Sequence, residues 1–185
     1  MKRIDALRVI EAATREWALV LTCGATAREM ASLATPDSHL PLLDSMGLTS
    51  AVGLGIALGT RRRVGVVDGD GSLLMGFSIL PTLGTVQPDN LVVVVLDNHQ
   101  HASADEMESQ AATIDLGDAC EGFGFRVDRT SDEHELDEIL SEATMRGEFR
   151  FVVVSIEPGN APGVRTLLKD PAVLAERTRS FLAPR

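Results

Sequence analysis

The sequence has little cysteine, few aromatic residues and no long apolar segment. Of its 185 residues only Cys23 and Cys120 are cysteines, and they stand alone without a Cys-x-x-Cys spacing. We therefore expect two reduced thiols rather than a disulfide or a zinc site. No run approaches the ~18 apolar residues of a membrane span. The stretch Met1–Asp5 becomes acidic before an apolar signal core develops, so we expect a cytoplasmic protein with no membrane partner.

Positive charge is also scarce. The chain has 17 Lys and Arg residues against 27 Asp and Glu residues, which gives a net charge of −10. This balance argues against nucleic acid as a partner, because repulsion from its phosphates would have to be overcome. A small anionic ligand stays compatible with it, since a local group of N–H donors together with Mg²⁺ outweighs the global charge.

The length and the composition indicate one α/β domain over residues 1–185. The hydrophobic share is 44% and the aromatic share 4%, which suits a core of Val, Leu, Ile and Ala. Short apolar strands alternate with helical segments along the chain. This alternation predicts a three-layer, doubly wound and mostly parallel sheet. The main predicted strands are Ala18–Thr22, Val64–Val67, Leu91–Leu96 and Phe149–Ile156.

Three segments between the strands carry more specific expectations. Leu73–Leu83 is apolar on most sides, which predicts one helix packed against the sheet. The segment Leu48–Gly59 is rich in glycine, which costs ~1 kcal/mol per residue in a helix relative to Ala, so we expect close packing or ligand approach to require it. The polar segment Ala104–Gln110 is expected to form a loop or a short helix at the edge of the site.

The centre of the chain holds an acidic, glycine-rich turn between two apolar strands. The turn Gly69–Ser72 follows the first of them, and Asp97 and Asn98 end the second. Ligands of open α/β sheets bind at the carboxyl ends of the strands. Asp70 of the turn would meet Asp97 and Asn98 at this edge. Carboxylate, amide and carbonyl oxygens suit Mg²⁺, and N–H groups at a helix start suit phosphate. The pattern predicts a magnesium–diphosphate site.

These residues resemble a known motif. Gly69-Asp70-Gly71-Ser72, followed by Asp97-Asn98, resembles the GDG…NN or DN motif of the pyrophosphate-binding domain of thiamine diphosphate-dependent 2-oxo acid decarboxylases. Asp44-Ser45-Met46-Gly47 and the helix after it resemble the cofactor-folding segment of that family. Over Ala18–Leu182 the chain looks like sulfopyruvate decarboxylase β subunits and the matching half of phosphonopyruvate decarboxylases. The resemblance implies the thiamine diphosphate-binding fold.

The resemblance also implies roles for the residues of the central motif. Asp70 and Asn98 would hold Mg²⁺ through their side chains, and Gln100 through its backbone carbonyl. The alternative to metal binding is that Asp70 only forms the turn between its two flanking glycines. Asp97 fills a slot where the family often has Asn, and it either contacts the metal or orients the loop. Gly71 and Ser72 would meet the diphosphate, and the loop Gly69–Ser72, with Gly69 and Asp70, would offer it N–H groups.

In the second motif, the resemblance implies that Met46 wedges under the thiazolium ring, although an ordinary core position is the alternative. Asp44 and Met46 would offer backbone groups to the aminopyrimidine, and Gly47 belongs to the same cofactor segment. The family often has Gly at the position of Asp44, and the sequence offers no reason for the aspartate.

The substrate side is less well defined by the sequence. The loop after Asn98 departs from the Thr-Gly pair of many relatives and carries His99 and His101. These histidines either transfer protons or hold an anionic substrate group, or they are solvated loop residues. Arg165 is a further candidate for contact with an anionic head group. The resemblance implies a small anionic 2-oxo acid as substrate.

The family needs a glutamate from a separate pyrimidine-binding domain, which would be comparable in size to this whole chain. The resemblance therefore implies a partner subunit of similar size that brings this glutamate, in a hetero-oligomer such as α2β2 or larger. The chain would be active only with that partner. A non-catalytic, regulatory subunit that binds thiamine diphosphate is the alternative.

The same segment also fits the sequence motif of a second class of enzyme, a phosphatase. Val66–Ser72 also resembles the motif of haloacid-dehalogenase phosphatases, with Asp68 as nucleophile and Asp70 as acid/base around Mg²⁺. That mechanism needs a lysine further along, and the chain has only Lys2 and Lys169. A dinucleotide-binding module at Gly53-Leu54-Gly55 is a weaker alternative, because the spacing misses GxGxxG.

Overall fold

The computed structural model describes residues 1–102, 106–167 and 169–183. Six parallel strands form the main sheet in the order β2-β1-β3-β4-β8-β7, and β5 pairs with β6 in a separate antiparallel ribbon. The strands are β1 Ala18–Leu21, β2 His39–Pro41, β3 Val64–Gly69, β4 Leu91–Asp97, β5 Gln100–His101, β6 Met107–Glu108, β7 Val127–Thr130 and β8 Arg150–Ser155.

Helices cover both faces of the sheet. They are α1 Arg3–Ala13, α2 Ala25–Leu33, α3 Thr49–Gly59, α4 Asp70–Met75, α5 Leu80–Val86, α6 Leu116–Glu121, α7 Glu133–Arg146 and α8 Pro171–Leu182. Helices α1, α2 and α7 bury their apolar residues against one face, and α3 to α6 with the end of α8 cover the other. The prediction of a three-layer, doubly wound parallel sheet is confirmed. None of the described helices is long and apolar enough to cross a membrane.

Strand β4 is the centre of this arrangement. All seven of its residues are buried, and Val93 and Val95 point to one apolar layer while Val92 and Val94 point to the other. Helices on both sides remove the strand from water, which is why its sequence is continuously apolar instead of alternating.

Helix α3 shows why its glycines are there. A Cβ atom on Gly53 would overlap Cγ2 of Val66 in β3, so this position allows the helix to lie close to the sheet. Gly55 faces open space, where a Cβ atom would contact nothing within 4 Å. The expectation of close packing is therefore confirmed at Gly53, and packing does not explain Gly55.

The prediction of one helix over Leu73–Leu83 is wrong. Helix α4 ends at Met75, a 3-10 turn covers Phe77–Ile79, and α5 begins at Leu80. The break lies at Gly76, where a Cβ atom would overlap the backbone carbonyl of Gly47. Close approach of the Gly47 backbone thus fixes the end of α4.

The segment after β4 also differs from its prediction. Instead of a loop or short helix, the described part of 100–110 forms the β5–β6 ribbon, in which Gln100 pairs with Glu108 and His101 with Met107. A 3-10 turn follows at Gln110–Ala112. The prediction for Ala104 and Asp105 lies outside the described residues.

Candidate functional site

An open cleft of about 640 Å³ lies at the carboxyl ends of β1, β3 and β4. This is the edge at which the sequence places the site. Gly47 is not part of the lining, but its N–H donates a hydrogen bond to Ser72 Oγ at 3.1 Å. The predicted site residues that line the cleft are Asp44, Met46, Gly69, Asp70, Gly71, Ser72, Asn98, Gln100 and His101.

Asp70 is the first residue of α4, and its side chain is 2% exposed. Its Oδ2 accepts a hydrogen bond from the hydroxyl of Ser109, which lies just after β6. A carboxylate at the first turn of a helix is favoured by the partial positive charge of that helix end. Asp70 is therefore a buried, anchored carboxylate at the edge of the cleft.

Asn98 follows β4 and faces the same cleft. Its Oδ1 accepts from the backbone N–H of Gln100 at 3.3 Å, and its buried Nδ2 has no partner among the described residues. Oε1 of Gln100 is likewise buried and unpaired there. Buried polar atoms without partners are costly, so these side chains fit a site that is completed by a further group.

Asp97 has a different role from its neighbour. Its Oδ1 accepts from the His99 backbone N–H at 3.1 Å and lies 3.1 Å from His99 Nδ1. Burial raises the pKa of Asp97, and the nearby charge of Asp70 raises it further. Asp97 does not line the cleft, so the geometry favours loop orientation over metal contact.

The position of His99 follows from this contact. Its φ angle is 57°, its side chain is 55% exposed, and it does not line the cleft. His101 does, and its imidazole packs on Gly71, where an added Cβ atom would overlap the ring. Of the two candidate catalytic histidines, only His101 is placed where a ligand of the cleft would be.

Ser72 joins three segments at the floor of the cleft. Its Oγ accepts hydrogen bonds from the Gly47 N–H at 3.1 Å and from the Thr22 hydroxyl at 3.0 Å. The start of α4 is thereby tied to the end of β1 and to the segment 44–47. Shifts of Ser72 would therefore disturb the whole turn Gly69–Ser72.

The segment 44–47 has an unusual backbone. Asp44 has a φ angle of 55° and Gly47 one of 84°, both in the left-handed region. Glycine adopts this region without strain, and Asp is among the residues that tolerate it best. The backbone therefore favours glycine at position 47 and permits the aspartate at position 44. Met46 lies between them, lines the cleft and is 40% exposed.

Comparison with known proteins identifies the family. Residues 22–154 match the family model described as "Thiamine pyrophosphate enzyme, C-terminal TPP binding domain". The chain belongs to this thiamine pyrophosphate enzyme family. Apart from Arg3, every residue that lines the cleft lies within the matched region, so the cleft is part of the domain that gives the family its name.

Two curated relatives have informative names. The chain is 37% identical over 161 residues to sulfopyruvate decarboxylase subunit beta of Methanothermobacter thermautotrophicus, covering 87% of this chain and 85% of the relative. It is 37% identical over 182 residues to phosphonopyruvate decarboxylase of Streptomyces viridochromogenes, covering 97% of this chain but 46% of that protein. This chain thus spans less than half the length of the second relative.

Solved structures support the fold. The chain superposes on thiamine diphosphate-dependent 4-hydroxybenzoylformate decarboxylase of Rhodococcus jostii RHA1 with a TM-score of 0.71 at 16% identity. The match covers 85% of this chain and 33% of that one. At this identity the likeness shows the fold of a thiamine pyrophosphate enzyme domain.

Several residues of the site were not predicted from the sequence. Thr22, Cys23 and Gly24 line the cleft directly after β1, and the rule that ligands bind at strand ends could have found them. Burial raises the pKa of the Cys23 thiol, which keeps it protonated. The sequence around Arg3 and Ser109 has no such signal. The folding of α1 brings Arg3 to the cleft, and the folding of the ribbon brings Ser109 to Asp70.

The phosphatase alternative depends on Asp68 as a nucleophile. Asp68 is 1% exposed, accepts from the Gly69 N–H at 3.0 Å and the Ser50 hydroxyl at 3.2 Å, and does not line the cleft. Burial raises its pKa, which disfavours the ionised nucleophile. The structure therefore gives Asp68 a structural position, and the family match favours thiamine diphosphate over phosphatase chemistry.

Proposed function

We propose that the chain is the thiamine diphosphate- and Mg²⁺-binding subunit of a hetero-oligomeric decarboxylase that acts on a small anionic 2-oxo acid. The observation that carries this proposal is the convergence of Asp70, Asn98 and Gln100 on one cleft at the ends of β3 and β4. The names of the relatives, sulfopyruvate and phosphonopyruvate decarboxylases, supply the substrate class.

The side chains at the cleft fit Mg²⁺. Asp70 offers a buried carboxylate. Asn98 offers its amide oxygen Oδ1, which keeps a second lone pair beside the one that accepts from the Gln100 N–H. No group of three or more His, Cys, Asp or Glu side chains forms a metal site in the part of the chain that the structure describes. Mg²⁺ suits such a site, because it is usually held by one or two carboxylates with ligand phosphates and water.

The segment 44–47 of the chain would bind the organic part of the cofactor. Thiamine diphosphate supplies an electron sink for the carbanion that decarboxylation of a 2-oxo acid leaves. Met46 projects into the cleft from a backbone fixed at Asp44 and Gly47, which supports its role as the wedge under the thiazolium ring. Exchange of Met46 for Ala should lower kcat far more than it weakens cofactor binding.

The surface around the cleft supports a partner subunit. Met46, Met75 and Met107 line the cleft with 40%, 62% and 61% of their surface exposed, and Leu48 beside them is 53% exposed. Exposed apolar side chains that cluster at one place mark an interaction surface. The "subunit beta" name of the first relative supports the presence of a partner subunit. In this proposal the partner covers the rim and supplies the glutamate of the pyrimidine-binding domain.

The substrate class agrees with the charges of the cleft. Among the described residues that line it, Arg3 and His101 are the basic side chains, and Asp44 and Asp70 are the acidic ones. An anionic 2-oxo acid would lie beside His101, because the Arg3 guanidinium is already paired with Glu29. Arg165 lies in a different cavity, so we do not assign it to the substrate.

The test is isolation of the native complex, identification of every subunit in it, and an assay of CO₂ release. We expect a second subunit of similar size, and activity on sulfopyruvate or phosphonopyruvate only with both subunits, Mg²⁺ and thiamine diphosphate. Asp70→Asn in the complex should abolish turnover, while the exposed Asp137→Asn should not.

Two results would contradict the proposal. Decarboxylation by this chain alone, at purity, would remove the need for a partner. A reconstituted complex that binds thiamine diphosphate but decarboxylates none of a panel of anionic 2-oxo acids would favour the regulatory subunit.

A further inference from the structure

Ser109 is buried beside the proposed metal ligand Asp70, although 39 residues separate the two in the chain. Its side chain is 3% exposed, and its hydroxyl donates to Oδ2 of Asp70. The direction of this bond is determined by the groups around it. Ser109 Oγ also accepts from the Ala111 N–H at 3.3 Å, so its own proton is available for the carboxylate.

This bond leaves one carboxylate oxygen for a ligand. Oδ1 of Asp70 accepts no hydrogen bond from the residues that the structure describes, and Asp70 lines the cleft. A carboxylate held through one oxygen presents the other in a fixed direction. Partners of this kind set the orientation of metal ligands, and their removal typically costs about 10–100-fold in metal affinity.

Ser109 also connects Asp70 to a second part of the metal site. Its backbone N–H donates to the His99 carbonyl at 2.9 Å, which closes the ribbon that carries Gln100 and His101. One residue therefore holds the carboxylate of β3–α4 through its side chain and the ribbon after β4 through its backbone. The two functions are separable, because substitution by Ala deletes only the hydroxyl.

We propose that Ser109 is a positioning residue for Mg²⁺, which fixes Asp70 for metal binding through the hydroxyl–carboxylate hydrogen bond. This inference rests on the proposed metal site, and it adds to it a residue outside the motifs that identify the family. Ser109 contacts neither metal nor cofactor directly, so its effect should appear in metal affinity and disappear when Mg²⁺ is in large excess.

The experiment titrates Mg²⁺ into the native complex at constant thiamine diphosphate, and measures binding by calorimetry, with Mn²⁺ and electron paramagnetic resonance as a second probe. Ser109→Ala should weaken metal affinity roughly 10–100-fold, and excess Mg²⁺ should restore cofactor binding to the wild-type level. Ser109→Thr keeps the hydroxyl and should stay within about 3-fold of the wild type. The exposed Ser141→Ala in α7 is the control for serine removal.

The outcomes separate this inference from the function. Affinity of Ser109→Ala within about 2-fold of the wild type, with an unchanged circular dichroism spectrum, would overturn the role of Ser109 and leave the metal site intact. Equal weakening in Ser109→Ala and Ser109→Thr would assign the effect to packing and would also overturn it. If thiamine diphosphate binding to the wild-type complex did not depend on Mg²⁺, the metal site itself would be wrong.

Discussion

Nη1 of Arg3 donates a hydrogen bond to Oε1 of Glu29 at 3.0 Å, and the two side chains are 5% and 2% exposed. The same nitrogen donates to the Gly159 carbonyl at 3.0 Å and to Asn160 Oδ1 at 3.2 Å. Asn160 Nδ2 donates in turn to the Ala102 carbonyl at 3.1 Å. A buried ion pair thus joins α1 and α2 to the loop after β8 and to the ribbon over the cleft.

Arg3→Met should destabilise the chain by about 3–5 kcal/mol, because it leaves the Glu29 carboxylate buried without its cation. For a protein of this size the melting temperature should fall by roughly 6–20 °C, as measured by thermal unfolding. The double variant Arg3→Met/Glu29→Leu should recover part of the loss, since it buries no unpaired charge.

The control for this pair is Arg8→Met, which breaks the pair with Asp5 at the surface, where Arg8 is 60% exposed. Such exposed pairs contribute only about 0.2–1 kcal/mol. Equal losses in Arg3→Met and Arg8→Met would show that burial of the Arg3–Glu29 pair has no energetic consequence.

Gly76→Ala should destabilise the chain by about 1–3 kcal/mol or more, because the new Cβ atom would overlap the Gly47 carbonyl. Gly55→Ala in α3 is the matched control, and it should stabilise the isolated chain by about 0.5–1 kcal/mol, since its Cβ atom would meet nothing within 4 Å. Urea unfolding of both variants measures the difference. A Gly76→Ala variant as stable as Gly55→Ala would show that contact with the Gly47 backbone does not cause the break between α4 and α5.

The stability should fall with acid through His39. Burial lowers the pKa of His39 from 6.5 to about 4, and the charge of Arg177 contributes to the shift. Because the folded pKa lies below the unfolded one, the unfolded chain takes up a proton first as the pH falls below 6.5. The free energy of unfolding should therefore lose about 2 kcal/mol from this residue between pH 7 and pH 5.

Thermal unfolding of His39→Gln at pH 7 and pH 5 measures this contribution. The variant should show a drop in unfolding free energy between the two pH values that is smaller by about 2 kcal/mol. The control is His134→Gln, whose side chain is 82% exposed and which should retain the wild-type drop. Identical drops in both variants would show that His39 is not the group responsible.

Thiamine diphosphate with Mg²⁺ should protect the native complex from unfolding. At 100 times the dissociation constant, a ligand adds about 2.7 kcal/mol, which should raise the melting temperature by roughly 5–10 °C. Asp70→Asn should lose this increase, because the amide gives the metal no negative charge. Asp137→Asn, exposed on α7, should keep it. A full increase in Asp70→Asn would remove Asp70 from the metal site.

The sequence by itself determined the layers and the position of the site. Apolar runs such as Leu91–Leu96 are continuous because helices cover both faces of the sheet, so their pattern records the parallel architecture. The turn Gly69–Ser72 and the pair Asp97-Asn98 follow their strands directly. Local spacing was therefore enough to place these residues at one edge, and the motif that they form carried the resemblance to the family.

Only the tertiary structure decided the contacts between distant segments. The break at Gly76 depends on the Gly47 backbone, the pairing of Arg3 depends on Glu29, and the anchoring of Asp70 depends on Ser109. No local pattern encodes these pairs, because each partner is an ordinary residue in its own segment. Their meeting follows from how the helices and the ribbon pack on the sheet, which sequence spacing does not record.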